Sequence, residues 1–553
     1  MKRHSRDSFF VVGEGVLEFD GIGEATTRQP STTEELRRFR FSRLGPKGPK
    51  TDDAAREALA LAMTSGDQPD SENPAVPAGF TYLGQFVDHD LTMDRTESQL
   101  GQDVNVDELL QGRSPALDLD SVYGRGPRDK DDQVFYAEDG VKLKMGTTSD
   151  AGPGFPPMEG FDLPRRGGTA GTPADRRAPL IPDARNDENL AIAQTHLAFI
   201  RFHNRVVDEL ALTGLTGDRL FRAAKELVVR HYQFMLKTDF LPRIIDPAIV
   251  DDVFTNGRKF FEVPGQYYGR DNTPTMPIEF SVASYRLGHS MIRDAYQWNR
   301  VFNTTGIVPG TLFLLFVFTG TSGNFDPSST VPDLDDVNRG TTFTLPSNWI
   351  ADFRRLYDFT EADRDDLIPP AEFGGGNVTK RIDSLLVDPL RQLPAGTFGG
   401  RGTQFPEIQR NLAFRNLTRA NMMELATGQQ IAELFGVEPL TAEEILVGNG
   451  GANLDSLTEE QKAQLAEATP LWFYVLREAE LNNGLMGPVG GRLTAEVFHR
   501  AIEGSRISIV RSPYWRPTLG PDSSTFRMVD LLLFAFEGKA DLLNPLGDPQ
   551  PGA

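Results

Sequence analysis

The chain has 553 residues, a formal net charge of -21 at pH 7 and no cysteine. The negative charge argues against binding to nucleic acid or to an anionic membrane, because both need a basic protein face. The absence of cysteine excludes disulfides, thiolate ligation and iron–sulfur clusters, so a bound metal would need His, carboxylate, Met or Tyr ligands. Small molecules and cations are therefore the expected partners.

Neither the N-terminus nor the longest apolar run predicts a signal peptide or a membrane span. The basic N-terminus runs into Gly and Glu after only a few apolar residues, which is too short for the core of a signal peptide. The longest apolar run, residues 312–318, is too short to span a bilayer. We expect a soluble protein, either cytoplasmic or exported by a route other than Sec.

Helical periodicity dominates the sequence from about residue 55 onward. Apolar residues three and four positions apart predict helices, and strand patterns are few and short. The predicted helices cover 188–210, 218–238, 421–435, 470–482 and 493–503. No repeat or break in composition divides the chain. We therefore expect a mainly α protein, with a polar N-terminal arm over 1–50, one large domain over 51–545 and a short tail over 546–553.

The first polar cluster is GQFVDHD, which begins at Gly84. On a helix Gln85, Asp88 and His89 share a face, while Asp90 turns roughly 100° away from His89. One side of such a helix suits a polar pocket and the other suits a cation. Taken alone, the pattern is more typical of a capped surface helix with a hydrogen-bonded histidine.

The second cluster is SPALDLDSVYG, which begins at Ser114. Side-chain oxygens at Ser114, Asp118 and Asp120, with the backbone carbonyl of Ala116, resemble a short Ca²⁺ loop, although the spacing is not that of an EF-hand. The alternative is an Asp-rich turn that bonds its own backbone.

The remaining clusters are individually weak. Arg185 and Glu188 stand one turn apart at the start of a predicted helix, where a simple charge pair is the usual explanation. His196 and His203 follow seven residues apart, whereas a zinc pair favours a spacing of four, so we interpret them as packed histidines. YRLGHS contains His289, and RNLTR begins at Arg415.

Together, and in this order, these segments resemble the signature set of animal-type haem peroxidases, the peroxidase–cyclooxygenase superfamily that includes myeloperoxidase. The matching segments are GQFVDHD, SPALDLDSVYG, DARNDENLAIAQTHLAFIRFHNR, YRLGHS and RNLTR, over about residues 80–430. TPLWFYVLREAE and GPVGGR are similar to bacterial members and extend the resemblance toward residue 535.

The resemblance implies a haem b cofactor and the reduction of H₂O₂, with oxidation of a small electron donor through an oxoferryl intermediate. The donor would be a halide, thiocyanate or a phenolic compound. His89 would be the acid–base catalyst on the distal face. Arg185 would stabilise developing negative charge, and Gln85 would hold water or an anion.

The resemblance also implies how the haem is held. His289 would ligate the iron, and Asn416 would accept the ring N–H of His289. Arg286 and Arg419 would lie near the haem or its propionates. The carboxylates that would form haem esters are Asp88 and Glu188, whereas Asn189 replaces the methionine that makes a third link in myeloperoxidase, so that link should be absent. The implied calcium ligands are Asp90, Ser114, Ala116 through its backbone, Asp118 and Asp120.

Two alternatives use the same resemblance. A fatty-acid dioxygenase of the superfamily would carry a radical-forming tyrosine three residues before the proximal histidine, where this chain has Arg286; Tyr285 stands four before. A calcium-stabilised adhesion or scaffold protein would be favoured by loss of His89 or Arg185, and both are present. A peroxidase is therefore the predicted function.

Overall fold

The computed structural model describes residues 8–11, 15–19, 25–28, 41–66, 71–96, 98–263, 274–304, 309–317, 319, 343–393 and 406–549. Helices dominate these residues, which confirms the predicted mainly α class. In chain order, α1 to α9 are Asp53–Met63, Gly79–Leu91, Asp120–Tyr123, Pro173–Arg177, Leu190–Ala211, Gly217–Met235, Leu241–Ile244, Pro247–Asn256 and Gly288–Met291. Helices α10 to α18 are Leu312–Val317, Leu412–Met422, Gly428–Phe435, Ala442–Val447, Glu459–Glu467, Leu471–Leu481, Gly490–Gly504, Met528–Ala535 and Ala540–Leu543.

The strands are short and form five small sheets among the described residues. In chain order, β1 to β11 are Ser8–Val11, Gly15–Phe19, Ala25–Arg28, Phe41–Ser42, Glu72–Pro77, Gly146–Thr147, Glu159–Asp162, Met276–Pro277, Ala295–Tyr296, Gly310–Thr311 and Val378–Lys380. The first three form an antiparallel sheet within the expected N-terminal arm, β4 pairs in parallel with β8, and the other pairs are antiparallel. The division into arm, domain and tail stays a prediction.

Helix α5 lies at the centre of the fold. It begins after Asn189, whose side chain accepts a hydrogen bond from Ile192 N at 3.0 Å and so caps the helix. Buried residues run along most of its length, and it packs against α2, α6 and α17. Because α5 is surrounded by other helices, the residues just before its first turn are held inside the protein rather than at its surface.

The predicted helix over 421–435 is wrong in its first half. Helix α11 ends at Met422, and the chain then turns through Glu424, which has a φ of 46°. Helix α12 starts only at Gly428, where Thr427 and Gln430 form a capping box. The apolar periodicity runs through this turn and therefore does not reveal it.

The chain that leads to His289 uses three helical geometries in succession. Residues Glu279–Ala283 form a π turn, Ser284–Leu287 form a 3-10 turn, and α9 is a single α-helical turn. Such π turns are uncommon and often lie at functional sites. In this protein the three turns contribute Ser281, Val282, Tyr285, Arg286 and His289, among others, to the lining of one cavity.

The described helices do not meet the requirements for crossing a membrane. None of them combines the length and the apolar composition that a bilayer crossing requires.

Candidate active site

A cavity of about 490 Å³ lies between α2, the turn that precedes α5, and the segment that carries His289. Both His89 and His289 line it. Apolar walls come from several further elements, among them Phe41, Phe80, Ile278, Leu312 and Phe316. Of the residues predicted at the site, the cavity wall contains Gln85, Asp88, His89, Arg185, Glu188, Arg286, His289 and Arg419. The volume and mixed lining are those of a cofactor or small-molecule site.

His89 is neutral at physiological pH. Its side chain is buried on α2, and burial, with the nearby charge of Arg185, lowers the pKa of His89 to about 3. The Nδ1 atom lies 2.9 Å from Asn186 Oδ1, and the Nε2 atom lies 3.6 Å from Glu188 Oε1. Asn186 therefore holds Nδ1, while Nε2 faces Glu188 in the cavity wall.

Arg185 is fixed by a buried carboxylate. Asp183 caps the turn Ala184–Asp187 by accepting from Arg185 N at 3.0 Å, and it also accepts from Arg185 Nε at 3.1 Å and Nη2 at 2.7 Å. Arg113 pairs with the same carboxylate at 2.7 Å and is fully buried. Burial by itself raises the pKa of Asp183, but the two arginines overcome it and hold that pKa well below its usual range. Arg185 is thus a preorganised cation.

Gln85, Glu188 and Asn189 form a second polar group on the cavity wall. Gln85 donates from Nε2 to Glu188 Oε1, and it accepts from Asn189 Nδ2 at 3.1 Å. The Glu188 side chain keeps 35 % of its surface accessible, but Glu188 lines the cavity, and burial raises its pKa to about 7 despite Arg185. Burial likewise raises the pKa of Asp88, which accepts from Thr92 Oγ1 at 3.0 Å.

His289 is held by Asn416. The two side chains meet at 3.0 Å between Asn416 Nδ2 and His289 Nδ1, and Asn416 Oδ1 accepts from Arg286 at 2.8 Å. In this orientation the amide donates to the imidazole, whereas the role expected from the resemblance is that of acceptor. The predicted role requires the amide oxygen to face His289. Burial and the charge of Arg286 lower the pKa of His289 to about 3, so the ring is neutral in either arrangement.

Arg419 lines this side of the cavity, and Trp472 packs against the ring of His289. Arg419 pairs with Asp94 and donates to Ser98 Oγ at 3.1 Å. The fully buried Trp472 lies edge-to-face with His289, with ring centroids 6.4 Å apart, and it donates to the carbonyl of Arg286.

Tyr285, which stands four residues before His289, also lines the cavity. Its ring is buried, and its hydroxyl has no hydrogen-bond partner among the described residues. Burial, together with the nearby charge of Asp88, raises the pKa of Tyr285 well above its usual value.

The predicted calcium residues are buried together but do not form a metal cage. Asp90 faces away from the cavity, and its oxygens accept from Leu119 N at 3.1 Å and from Ser121 N at 3.4 Å. Burial and the charge of Asp120 raise the pKa of Asp90 to about 7. Ser114, Ala116, Asp118 and Asp120 are all buried as well. Nowhere in the described ranges do three His, Cys, Asp or Glu side chains converge on one metal position.

Sequence reasoning assigned no role to three residues that organise this site. Asp183, Arg113 and Asn186 hold Arg185 and His89, and all three are buried. Asp183 and Asn186 lie within the motif that was quoted for Arg185, and a capping aspartate is a recognisable signal. Arg113 offers no such signal, because it contacts Asp183 across 70 residues of sequence.

Residues 93–341 match the family model described as "Animal haem peroxidase". The chain carries an animal haem peroxidase domain. The predicted resemblance is confirmed by this match, which includes Arg185, Glu188 and His289. His89 lies four residues before the matched part and Asn416 lies beyond it, so the match does not include either residue.

Relatives of this peroxidase domain occur among animal proteins. A peroxidase-like protein of Margaritifera margaritifera is 29 % identical over 255 residues, which are 39 % of this chain and 32 % of that protein. Thyroid peroxidase of Homo sapiens is 26 % identical over 200 residues, 34 % of this chain and 20 % of that protein. The chain therefore spans a third or less of the length of these relatives.

Two solved structures share the fold. Peroxidase A from Dictyostelium discoideum superposes with a TM-score of 0.55 at 14 % identity, covering 93 % of this chain and 94 % of that one. A fatty acid alpha-dioxygenase of Arabidopsis thaliana gives 0.53 at 12 % identity, covering 91 % and 78 %. At these identities the likeness concerns the fold alone.

Proposed function

We propose that this protein is a haem peroxidase that reduces H₂O₂ and oxidises a small donor, such as a halide, thiocyanate or a phenolic compound. The observation that carries the proposal is the presence of His89, a fixed Arg185 and His289 in the lining of one cavity. The lining also fits a haem in its chemistry, because it combines apolar walls with two neutral imidazoles and two further arginines, Arg286 and Arg419.

His289 would ligate the haem iron through Nε2, with Asn416 accepting from Nδ1–H, and the bound haem would supply the oxidising centre. That role needs the amide orientation in which Asn416 Oδ1 faces the ring. Asp88 and Glu188 would form the ester bonds to haem methyl groups. Burial raises the pKa of both carboxyl groups, that of Glu188 to about 7, which favours their neutral forms.

His89 and Arg185 would activate the peroxide. Neutral His89 accepts a proton from H₂O₂ at Nε2 and returns it to the oxygen that leaves as water. Arg185 stabilises the negative charge that develops as the O–O bond breaks, and Asp183 keeps the guanidinium in place without neutralising its outward N–H groups.

The test is the optical spectrum of the haem-loaded protein before and after one equivalent of H₂O₂. We expect a haem Soret band that shifts on addition of peroxide, a band that stays unchanged in His89→Ala, and loss of haem binding in His289→Ala. A wild-type protein that takes up haem and does not respond to peroxide would contradict the proposal.

A fatty-acid dioxygenase is the second candidate, and the position of Tyr285 in the cavity wall favours it. The measurement is oxygen uptake with a long-chain fatty acid, comparing the wild type with Tyr285→Phe. Uptake that disappears in the variant supports dioxygenase chemistry. Peroxide reactivity with no fatty-acid-dependent uptake supports the peroxidase.

We also propose that the loop over 114–120 binds Ca²⁺ together with Asp90. The support is the resemblance and the burial of Asp90 close to Asp120. A cation would offset the two effects that raise the pKa of Asp90, which are burial and then repulsion from Asp120. The ligands would have to move closer together than they lie in this conformation. We expect Ca²⁺ added after chelation to raise the melting temperature of the wild type and to leave that of an Asp118→Asn, Asp120→Asn double variant unchanged. Equal responses would contradict the site.

A further inference from the structure

Asn186 joins two buried histidines. Its Oδ1 lies 2.9 Å from His89 Nδ1, and its Nδ2 lies 2.9 Å from His196 Nδ1. Asn186 and His196 are both fully buried, and the three residues come from the turn before α5, from α2 and from α5 itself. His196, which the sequence spacing marked only as a packed histidine, is therefore the far end of a hydrogen-bonded chain that reaches the cavity.

We infer that Asn186 is a positioning residue: it fixes the tautomer and the ring plane of His89, and His196 in turn orients Asn186. The inference rests on the proposed function for its catalytic meaning. The contacts themselves do not depend on it.

The chemistry of the amide makes the arrangement directional. An amide oxygen only accepts hydrogen bonds and an amide nitrogen only donates them. With Oδ1 facing His89, the proton of the neutral imidazole sits on Nδ1, so Nε2 carries the lone pair. The opposite amide orientation would place the proton on Nε2, and a protonated Nε2 cannot accept a proton from peroxide.

His196 restrains the other end of the amide. Because Nδ2 donates to His196 Nδ1, His196 carries its own proton on Nε2. The His196 ring packs edge-to-face on Phe86, with centroids 5.8 Å apart and 69° between the ring planes, and Phe86 is fully buried. His196 therefore cannot turn toward solvent. A change of tautomer at His89 would require the amide to rotate and His196 to move its proton as well.

A packing role and a positioning role predict different results. If Asn186 only filled space, its replacement would lower stability and leave the protonation pattern of His89 unchanged. If it positions His89, its replacement changes which ring nitrogen carries the proton. Asn186→Leu removes both hydrogen bonds at a similar volume, whereas Asn186→Asp keeps an acceptor for His89 Nδ1–H.

The experiment is ¹⁵N NMR of histidine side chains in haem-free protein labelled only at histidine, at pH 7.5. The sequence has 7 histidines, and the His89 signals are assigned by their loss in His89→Gln. We expect His89 to be protonated at Nδ1 in the wild type and in Asn186→Asp, and to shift toward the Nε2-protonated form in Asn186→Leu. A wild-type His89 protonated at Nε2 overturns the inference even if Asn186→Leu fails to fold. An unchanged pattern in a folded Asn186→Leu also overturns it.

A kinetic readout links the tautomer to catalysis. In haem-loaded Asn186→Leu with an intact Soret band, we expect the rate constant for reaction with H₂O₂ to fall by on the order of 10²-fold, the lower end of what acid–base catalysis contributes. A rate equal to that of the wild type, with the tautomer changed, would overturn the catalytic part. A wild type that ignores peroxide would count against the proposed function, while the NMR result would still decide the role of Asn186.

Discussion

Arg185 donates a hydrogen bond from Nη2 to the main-chain oxygen of His89 at 3.1 Å. That oxygen belongs to the last turn of α2, where carbonyl groups lack partners within the helix. Arg185 therefore fastens the end of α2 to the turn that precedes α5, in addition to presenting its charge to the cavity. The hydrogen bond between the His89 carbonyl and the Arg185 guanidinium thus fixes the position of one residue relative to the other.

Arg185→Lys should show that geometry matters beyond charge. A lysine keeps the positive charge but cannot bind Asp183 through two nitrogens and the His89 carbonyl at once. We expect the rate of reaction with H₂O₂ to fall by on the order of 10²-fold, as for the loss of one preorganised donor. The measurement is stopped-flow absorbance of the haem-loaded protein. Arg113→Lys is the matched control, because Arg113 binds the same carboxylate without lining the cavity; an equal fall in both variants would contradict a role in the chemistry.

Asp183→Asn should destabilise the protein in a pH-dependent way. The substitution leaves the buried Arg113 and the partly exposed Arg185 without a carboxylate. Removing one partner of a buried pair costs about 3–5 kcal/mol. Because the folded pKa of Asp183 is depressed, its contribution is complete above the unfolded pKa of about 3.9 and is lost as the pH falls below it. Urea unfolding at pH 6 and pH 3 should show a large difference between wild type and variant at pH 6 and a smaller one at pH 3. A constant difference would contradict the ion pair.

Glu188→Gln should stabilise the haem-free protein at alkaline pH. The folded pKa of Glu188 is raised to about 7, so ionisation of the group lowers stability as the pH rises through the interval between its unfolded value and 7. The melting temperature of the variant should exceed that of the wild type at pH 8 and match it closely at pH 5. Glu460→Gln, at an exposed position, serves as the control and should not change this difference.

Asp88 and Glu188 should determine whether haem can be extracted. If each forms an ester, Asp88→Asn and Glu188→Gln singly leave one covalent link, and the double variant leaves none. Acid–acetone extraction after peroxide treatment should therefore release haem from the double variant and not from the wild type. Complete release from the wild type would show that the esters do not form.

Asn189→Ala should weaken the start of α5. The substitution removes the cap on Ile192 N and the hydrogen bond to Gln85, and loss of a cap costs about 1 kcal/mol. Asn189→Ser keeps a capping oxygen and should recover most of the loss in denaturant unfolding. If the serine variant is as unstable as the alanine variant, the cap is not the source of the effect.

The spacing of residues along the sequence predicted which side chains share a helix face. It predicted few of the hydrogen-bond partners that hold those side chains in place. Gln85, Asp88 and His89 line the cavity while Asp90 faces the loop over 114–120, as the helical period requires. Helices α5, α6, α15 and α16 lie within a few residues of their predicted bounds. These features depend on neighbours three or four positions away, and the sequence contains them directly.

The supporting contacts depend on tertiary packing, which periodicity does not describe. Asn186 meets His89 across 97 residues, and Asn416 meets His289 across 127. The amide orientation at Asn416 depends on Arg286, which competes for the oxygen that the resemblance assigns to His289. The turn at Glu424 was missed because an apolar pattern can continue across a break in the backbone.

The π turn over Glu279–Ala283 sets the direction in which the side chains after it point. A π turn holds one residue more than the α-helical turn it replaces, and one residue corresponds to about 100° of rotation about the helix axis. Deleting Ser281 would therefore remove that extra residue and turn the segment that carries Tyr285, Arg286 and His289 by about 100°, with every one of those side chains still present in the sequence. In this protein the number of residues in a single turn determines whether the side chains of YRLGHS face the cavity.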